Sequence, residues 1–258
     1  MVTLEEIIGS KKKEVEQRKQ ELPESRLREL MGKVAPPRDF RNALKKKGEV
    51  SIIGEVKRAS PSAGVIRSSF NVKEIASELA EGGAAAVSVI TEKKYFYGDL
   101  LNLITVYNTV GLPVLRKDFI VDKYQVLESR AFCADAVLLI AAVLDAARFR
   151  DLYELARETG MEVLAEVHGE DELEKVLDAG AGIIGVNNRN LKDFTVDTNR
   201  IFKLRKLIPE DRVVVCESGV KTNDQVKKLA EKGIHAALVG ETLMRSSSIT
   251  GKLRELLR

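Results

Sequence analysis

Short apolar runs that end in charged or small polar residues recur along most of this chain. The runs are rich in Val, Ile, Leu and Ala, and seven of them stop at residues suited to acid–base chemistry or to anion binding. In chain order, these run ends are Glu55 and Lys57, Thr91 and Glu92, Lys117, Glu166, Asn187 and Arg189, Glu217 with Ser218 and Gly219, and Gly240. Stability gives no reason to place polar groups at matching ends of buried strands, whereas a parallel sheet assembles an active site in this way.

From Ser51 onward, strand-like and helix-like segments alternate, and their periodicity predicts eight strand–helix units. The predicted strands centre near Ile53, Val89, Val114, Leu139, Leu164, Gly185, Val214 and Leu238. The predicted helices cover Val72–Glu81, Leu100–Val110, Lys123–Phe132, Ala146–Thr159, Asp171–Ala179, Asn199–Leu207, Asn223–Glu231 and Thr250–Leu257. Eight units in 258 residues favour a single α/β domain, a (β/α)8 TIM barrel. An open doubly wound sheet is the alternative fold, but no G-x-G-x-x-G pattern follows the first predicted strand.

Glycines and aspartates mark the expected ends of these helices. Glycine tolerates the left-handed backbone that often follows a helix, and an aspartate side chain accepts hydrogen bonds from the first helical turn. We expect N-caps at or near Asp145 and Asp171, and a terminating glycine at Gly82, Gly111, Gly160, Gly180 and Gly233.

The first 47 residues carry no strand signal. An amphipathic helix is predicted from Leu4 to Val15 and a second helix near Glu24–Met31. A short third helix is predicted to follow an N-cap at Asp39 and to run through Leu44. We therefore predict two parts, an N-terminal helical extension of residues 1–47 and a catalytic barrel of residues 48–258 on which it packs.

The composition excludes several classes of protein. The net charge of +3 arises from 42 Lys and Arg against 39 Asp and Glu, which is too small for a nucleic-acid-binding face. The two cysteines, Cys133 and Cys216, form neither a disulfide framework nor a metal cluster, and they suit a reducing compartment. No apolar segment resembles a signal peptide or reaches membrane-spanning length, so we expect a cytoplasmic protein without membrane contact. A barrel of this size can be monomeric, and we expect a monomer.

The predicted barrel mouth collects candidate acids and bases. Glu55 and Lys57 are two residues apart on one strand, so both side chains point into the mouth. Lys117, at a strand end, is suited to act as a general acid or as a Schiff-base nucleophile. Glu166 ends an apolar strand, where desolvation raises the pKa of a carboxyl group toward that of a useful base. Phe119 could stack on a flat substrate ring or cover the barrel rim.

Further residues suit an anionic substrate. Asn187 and Arg189 can orient and bind a carboxylate or a phosphate. Barrels often bind phosphate where the seventh and eighth strands end, and the pairs Ser218-Gly219 and Gly240-Glu241 occupy these places.

A long loop and the two histidines complete the candidates. The loop Arg58–Ser69 is typical of a mobile lid or binding loop, and Ser60 near its start could donate to an anionic group. His168 follows Glu166 on the barrel rim, and His235 precedes the last strand. We interpret both histidines as structural.

Taken together, these segments resemble the indole-3-glycerol-phosphate synthase family over nearly the whole chain. The resemblance is carried, in the family's order, by IIGEVKRASPSAG, VLRKDFIVDKYQV, LAEVH, IGVNNRNL, VVCESGV and LVGETLMR. It implies a step of tryptophan biosynthesis, in which 1-(2-carboxyphenylamino)-1-deoxyribulose 5-phosphate loses CO2 and water and closes to an indole. The resemblance implies no metal and no organic cofactor, and other enzymes of the pathway are possible partners.

The resemblance also implies roles for the candidate residues. Lys117 would be the general acid that protonates the carbonyl oxygen, while Glu166 and Glu55 would supply the base and stabilise the cationic intermediate. Lys57 would hold an anionic group such as the phosphate, or act as the acid in dehydration. The residues assigned to the rest of the substrate are Ser60, Phe119, Asn187, Arg189, Glu217 and Ser218, with Gly219, Gly240 and the backbone of Glu241 assigned to the phosphate.

Glu241 departs from the small hydroxyl residue that many relatives carry at this position. Only its backbone N–H could then bind phosphate, and its carboxylate must point away from the phosphate.

Two other functions stay open at this point. A sugar-phosphate aldolase would use Lys117 as a Schiff base, and borohydride would then trap an adduct on this lysine. A non-catalytic barrel that binds a phosphorylated metabolite or a nucleic acid would bind tightly without turnover. Glutamates in the mouth argue against nucleic acid, because they would repel its phosphates.

Overall fold

A closed barrel of eight parallel strands forms the body of the protein. The structure is a computed structural model that describes residues 2–46, 48–191 and 193–258. Within these residues the strands are β1 (Ser51–Val56), β2 (Ala59–Ser60), β3 (Gly64–Val65), β4 (Ala86–Ile90), β5 (Val114–Lys117), β6 (Ala136–Ile140), β7 (Glu162–Val167), β8 (Ile183–Asn187), β9 (Val213–Glu217) and β10 (Ala236–Val239). Around the barrel their order is β1-β10-β9-β8-β7-β6-β5-β4, and β4 pairs with β1 to close it. The predicted TIM barrel is confirmed.

Helices connect the strands and precede the barrel. The extension holds α1 (Leu4–Glu21), α2 (Glu24–Met31) and α3 (Phe40–Ala43). The later helices are α4 (Val72–Gly82), α5 (Leu101–Thr109), α6 (Lys123–Ala131), α7 (Ala146–Glu158), α8 (Glu170–Asp178), α9 (Arg200–Arg205), α10 (Asn223–Glu231), α11 (Glu241–Met244) and α12 (Ile249–Leu256), with a 3₁₀ turn at Ala141–Val143. Every helix predicted between the strands is present, and its ends lie within two residues of the prediction.

Two predicted helix-terminating glycines have other roles. Gly82 lies inside α4, and the next residue, Gly83, takes the left-handed backbone with φ at +96°. A side chain on Gly82 would come within 2.8 Å of Leu253, so this glycine allows α12 to pack closely. Gly111 needs no left-handed backbone, because the chain leaves α5 through an extended residue, Val110.

The N-cap expected at or near Asp171 lies two residues before it, at Gly169. Helix α8 begins one residue before the predicted start, at Glu170, with Gly169 as its N-cap. Asp171 therefore lies in the first turn, where its charge still favours the helix dipole. The remaining predicted ends are confirmed, namely the side-chain caps of Asp39 and Asp145 and the left-handed glycines Gly160, Gly180 and Gly233.

Apolar side chains fill the barrel interior as well as the space between strands and helices. The interior cluster contains Ile53, Leu115, Leu138 and Leu164 and continues to the strand starts. Phe40 and Leu44, from the end of the extension, belong to the same cluster and are fully buried. The extension therefore closes the end of the barrel at which the strands begin.

Helix α1 is fixed to the barrel by buried ion pairs. Lys11 Nζ lies 3.0 Å from Asp118 Oδ1, and both side chains are almost fully buried. Arg116 also pairs with Asp118, at 3.1 Å, and Thr91 donates to it at 2.6 Å. Burial would raise the pKa of Asp118, but the charges of Lys11 and Arg116 hold it well below its usual value. Further along α1, Arg18 pairs with Glu128 on α6.

Three further predictions concern the division of the chain, the loop Arg58–Ser69 and membrane helices. The division into residues 1–47 and 48–258 stays a prediction, and its end residues Met1 and Lys47 lie outside the described residues. The loop Arg58–Ser69 contains an antiparallel pair, β2 with β3, that the sequence did not predict. No helix in the described part of the chain is long and apolar enough to cross a membrane.

We predict that Lys11→Met lowers the free energy of unfolding by about 3 kcal/mol, because it leaves the buried carboxylate of Asp118 without its nearest cation. Urea denaturation of the variant and the parent measures the difference. Lys12→Met is the matched control, because Lys12 is the exposed neighbour on the same helix. Equal urea midpoints for the two variants would contradict the prediction.

Candidate active site

The strand ends surround one cavity of about 820 Å³ at the carboxyl end of the barrel. Because all eight strands are parallel, the residues that follow them meet at this end. The structure brings every residue nominated from the sequence to this cavity, namely Glu55, Lys57, Ser60, Lys117, Phe119, Glu166, Asn187, Arg189, Glu217, Ser218, Gly219, Gly240 and Glu241.

Lys117 lies between two buried carboxylates at the cavity floor. Its Nζ atom is 3.2 Å from Oε2 of Glu166 and 3.5 Å from Oε2 of Glu217. On the first barrel strand, Lys57 Nζ forms a separate ion pair with Glu55 Oε2 at 2.6 Å. The floor thus carries two lysines and three acids in two adjoining groups.

Charge and burial separate the protonation states of these acids. Burial alone would lower the pKa of Lys117, but the carboxylates around it, Glu166 foremost, raise it well above its usual value. Burial raises the pKa of Glu217 to about 8, and the negative charge of Glu166 adds to this effect. Burial would also raise the pKa of Glu166, but the charge of Lys117 keeps it below its usual value. In neutral solution Lys117 is therefore a cation, Glu166 is ionised and Glu217 retains its proton.

Asn187 connects the acids to the opposite wall. Its Nδ2 donates to Glu166 Oε1 at 3.1 Å, and its Oδ1 accepts from Ser218 Oγ at 2.9 Å and from the backbone N–H of Arg189 at 3.0 Å. These bonds fix the amide orientation and hold Glu166 in place. Asn187 is itself buried, so its hydrogen bonds connect residues of the cavity wall beneath the surface.

Small residues on the neighbouring strands leave room for the carboxylates. A Cβ atom on Gly185 would lie 2.1 Å from Glu217 Oε1, and a Cβ atom on Gly240 would lie 2.1 Å from Glu55 Oε2. Neither glycine has the positive φ of a turn, so both are required by close approach. Gly240 follows an apolar run and is visible as a run end in the sequence, whereas Gly185 lies inside a run and gives no such signal.

The ends of β9 and β10 form a glycine-lined part of the cavity. Ser218 and Gly219 have positive φ angles of 66° and 92°, which turn the backbone after β9. Gly240 follows β10, and the carboxylate of Glu241 is held by Arg245 at 2.9 Å. This carboxylate also lies 3.8 Å from Arg189, so two guanidinium groups are near the same rim.

Aromatic and apolar side chains form another wall. The rings of Phe96 and Phe119 are tilted at 46° with their centroids 6.2 Å apart. Leu4 and Ile7, from α1, line the cavity as well. The sequence did not single out Phe96, Leu4 or Ile7, because none of them follows a strand directly. The N-terminal helices were expected to cover the aromatic part of the substrate, and Leu4 and Ile7 place α1 at the cavity wall.

Some polar run ends serve the framework. Thr91 donates to the buried carboxylate of Asp118, and Glu92 accepts backbone N–H groups from three residues of the following loop, including Phe96. His235 accepts the backbone N–H of Val214 at 3.0 Å, at the end of the barrel where the strands begin. Among the described residues, no group of three or more His, Cys, Asp or Glu side chains could hold a metal ion.

Comparison with known proteins identifies the family. The family model "Indole-3-glycerol phosphate synthase" matches residues 4–256. The chain belongs to the indole-3-glycerol phosphate synthase family. The relative of this name from Desulfotalea psychrophila is 47% identical over 258 residues, covering 99% of this chain and 98% of the relative. A second synthase, from Endomicrobium trichonymphae, is 50% identical over 217 residues, covering 84% of each chain. Membership makes this chain a decarboxylating lyase of tryptophan biosynthesis with a small phosphorylated substrate.

More distant solved structures share the fold. KGPDC from Streptococcus mutans has a TM-score of 0.63 at 12% identity, covering 81% of this chain and 95% of that chain. A chain of the tryptophan synthase complex from Pyrococcus furiosus has a TM-score of 0.59 at 14% identity, covering 82% of this chain and 98% of that chain. At these identities the likeness of this chain to both proteins concerns the barrel alone.

We predict that Gly185→Ala lowers the kcat of the enzyme on the order of 10²-fold, because its Cβ would displace the carboxyl group of Glu217 from the cavity floor. Steady-state kinetics measure the effect. Gly182→Ala is the matched control just before the same strand, where the nearest atom to the new Cβ is 3.5 Å away on Arg41. Equal kcat values for the two variants would show that the space beside Glu217 has no catalytic importance.

Proposed function

We propose that this cavity closes the indole ring of 1-(2-carboxyphenylamino)-1-deoxyribulose 5-phosphate with Lys117 as the general acid, releasing CO2 and water. The observation that carries this proposal is the single ammonium group of Lys117 between Glu166 and Glu217. An aromatic wall suits the carboxyphenyl ring, and the glycine-lined strand ends suit the phosphate. A substrate with these two ends would bring its carbonyl carbon to the floor between them.

Lys117 would protonate the carbonyl oxygen as the ring carbon attacks. The surrounding carboxylates hold its pKa well above its usual value, so the amine carries a proton to give. The same charge disfavours the aldolase alternative, because a Schiff base requires an uncharged amine as nucleophile.

Glu166 would stabilise the cationic ring intermediate and then remove a proton from the carbon next to nitrogen. It is ionised and buried, so its charge acts through a medium of low dielectric constant. Glu217, with its pKa raised to about 8, would contribute a neutral hydrogen-bonding wall beside Ser218. Glu55, which is paired with Lys57, would be a second negative charge that stabilises the cationic intermediate.

Lys57 would bind the phosphate or act as the acid in dehydration. Its Nζ would lie 3.0 Å from a Cβ atom built on Gly240, so it is next to the proposed phosphate position. The phosphate would be held by the backbone at Gly219, Gly240 and Glu241, with the carboxylate of Glu241 turned to Arg245. Because Arg245 neutralises this carboxylate, the acid does not repel a phosphate as a free charge would.

The remaining nominated residues would orient the carboxyphenylamino part and the hydroxyl groups. The guanidinium group of Arg189 would bind the substrate carboxylate. Asn187 accepts the backbone N–H of Arg189 and would keep this residue in position. Ser60 would donate from the β2–β3 loop, and Phe119 would stack on the ring.

We also propose that the chain works in the cytoplasm as a monomer, without a metal or an organic cofactor. One chain supplies the whole cavity wall described above, including Leu4 and Ile7 from its own extension. Sedimentation velocity at catalytic concentrations tests the monomer. A dimer that loses activity on dilution would contradict it.

We predict that Lys117→Ala abolishes turnover by orders of magnitude while the substrate still binds, because it removes the acid and leaves the outer walls intact. The chain contains no Trp, so indole emission on adding the substrate reports turnover directly. Lys123→Ala, a change at an exposed lysine on α6, is the matched control and keeps the parent rate. Near-normal kcat in Lys117→Ala would refute the assignment, and a borohydride-trapped adduct on Lys117 would favour Schiff-base chemistry.

A further inference from the structure

The loop after β4, residues 92–98, is folded around one buried carboxylate. Oε2 of Glu92 accepts the backbone N–H groups of Tyr95 at 2.7 Å and of Phe96 at 2.9 Å. Its Oε1 atom accepts the backbone N–H of Lys94 at 3.1 Å. Glu92 is only 2% exposed. Hydrogen bonds to a carboxylate are among the strong ones in proteins, so these three bonds fix the loop backbone from its inner side.

The end of the loop closes on the same residue. The backbone N–H of Gly98 donates to the carbonyl oxygen of Glu92 at 2.8 Å. A Cβ atom on Gly98 would lie 2.4 Å from the carbonyl oxygen of Ile90 and 2.8 Å from that of Glu92, so only glycine fits here. Tyr97 has a φ angle of +55°, which residues other than glycine adopt only where the surrounding structure requires it. The loop is therefore a compact turn with the Glu92 side chain inside it.

This turn places Phe96 on the aromatic wall of the cavity. Its ring lies 6.2 Å from that of Phe119, centroid to centroid, and both residues line the cavity. Phe119 is held separately, because its backbone N–H donates to Oδ1 of Asp118 at 2.8 Å. The two rings of the wall are thus fixed by two different carboxylates, and only Phe96 depends on Glu92.

The base of the loop is tied to the strand that carries Lys117. Ile90 pairs with Lys117 across β4 and β5, and the backbone N–H of Thr91 donates to the carbonyl oxygen of Lys117 at 3.1 Å. Glu92 is the next residue. The loop therefore starts from a backbone position that is fixed relative to the proposed general acid.

We propose that Glu92 is a positioning residue that sets the ring of Phe96, and through it the carboxyphenyl ring of the substrate, relative to Lys117. This inference rests on the proposed function, in which the substrate ring lies against the aromatic wall. The carboxylate of Glu92 is used by the loop backbone, so Glu92 acts through Phe96.

The chemistry of ring closure gives this position its importance. A carbon of the aromatic ring must meet the carbonyl carbon while Lys117 protonates the carbonyl oxygen. A displacement of about 1 Å between reacting groups can cost a large part of the rate. A wall that is already in place before the substrate arrives avoids the entropy cost of ordering it during binding.

The first test is Glu92→Gln. Glutamine has the same length, but its NH2 group donates and cannot accept, so at least one backbone N–H of the loop loses its partner. We expect kcat/KM to fall about tenfold because Phe96 is no longer held in place. Inhibition by inorganic phosphate should keep the Ki of the parent, because phosphate alone occupies the glycine-lined end of the cavity. Equal weakening of substrate and phosphate would indicate a general loss of structure and would overturn the proposal.

Asp99→Asn is the matched control. Asp99 is an exposed acid close in sequence, and its Oδ1 accepts the backbone N–H of Leu101 at 2.8 Å. The change removes the same charge and also keeps one acceptor oxygen. Its kcat/KM should equal that of the parent. If Glu92→Gln has no larger effect than Asp99→Asn, Glu92 has no positioning role.

A double-mutant cycle tests whether Glu92 acts through Phe96. Phe96→Ala removes the ring and should itself lower kcat/KM. Adding Glu92→Gln to Phe96→Ala should then change kcat/KM by no more than about twofold, because the group that Glu92 positions is already absent. Losses that multiply in full would show that Glu92 acts elsewhere and would overturn the proposal.

Two further measurements keep the outcome decisive. If Glu92→Gln does not fold, Glu92→Asp replaces it in the same cycle, because aspartate keeps the carboxylate but is one methylene too short to reach all three N–H groups. Parent kinetics in Glu92→Asp would then refute the positioning role. Indole emission from the parent separates the two levels of the argument. If the parent forms no indole, the proposed function fails and this inference fails with it; if the parent forms indole and Glu92→Gln behaves like the parent, only this inference fails.

Discussion

The ammonium group of Lys117 makes it possible to bury acids together at the floor of this barrel. Each buried carboxylate costs free energy unless a cation or a proton compensates it. Lys117 compensates Glu166 at 3.2 Å, Lys57 compensates Glu55 at 2.6 Å, and Glu217 retains its proton. The floor is therefore close to neutral in total charge while holding an acid and a base side by side. The close packing of these groups also explains why the adjoining strands carry glycine where a side chain would collide with a carboxylate.

The strand that carries Lys117 separates two ionic systems. Lys117 faces the cavity, while its neighbours Arg116 and Asp118 belong to the buried network that holds α1. The same short segment thus positions the proposed acid and anchors the extension, whose Leu4 lines the cavity. The extension is accordingly part of the site as well as a cover for the barrel, which a purely structural reading of an N-terminal helix does not suggest.

The substrate-facing surface is divided by chemistry along the cavity. Aromatic rings stand on one wall and glycine-lined backbone at the ends of β9 and β10, with the charged floor between them. Such a division suits a molecule with a flat ring at one end and a phosphate at the other.

The sequence by itself determined the barrel and most of the cavity wall, because both depend on local order. Short continuous apolar runs, the helical periodicity between them and their polar ends identify parallel strands, and closure then brings residues such as Lys117, Glu166 and Gly240 together. Whatever depends on contacts between distant segments was decided only by the tertiary structure. The need for glycine at Gly185 comes from Glu217 on the next strand, and the role of Gly82 comes from Leu253. Likewise, Glu92 ends an apolar run as Glu166 does, and only the folded loop shows that its carboxylate accepts backbone N–H groups, since no spacing rule reveals which way a side chain turns.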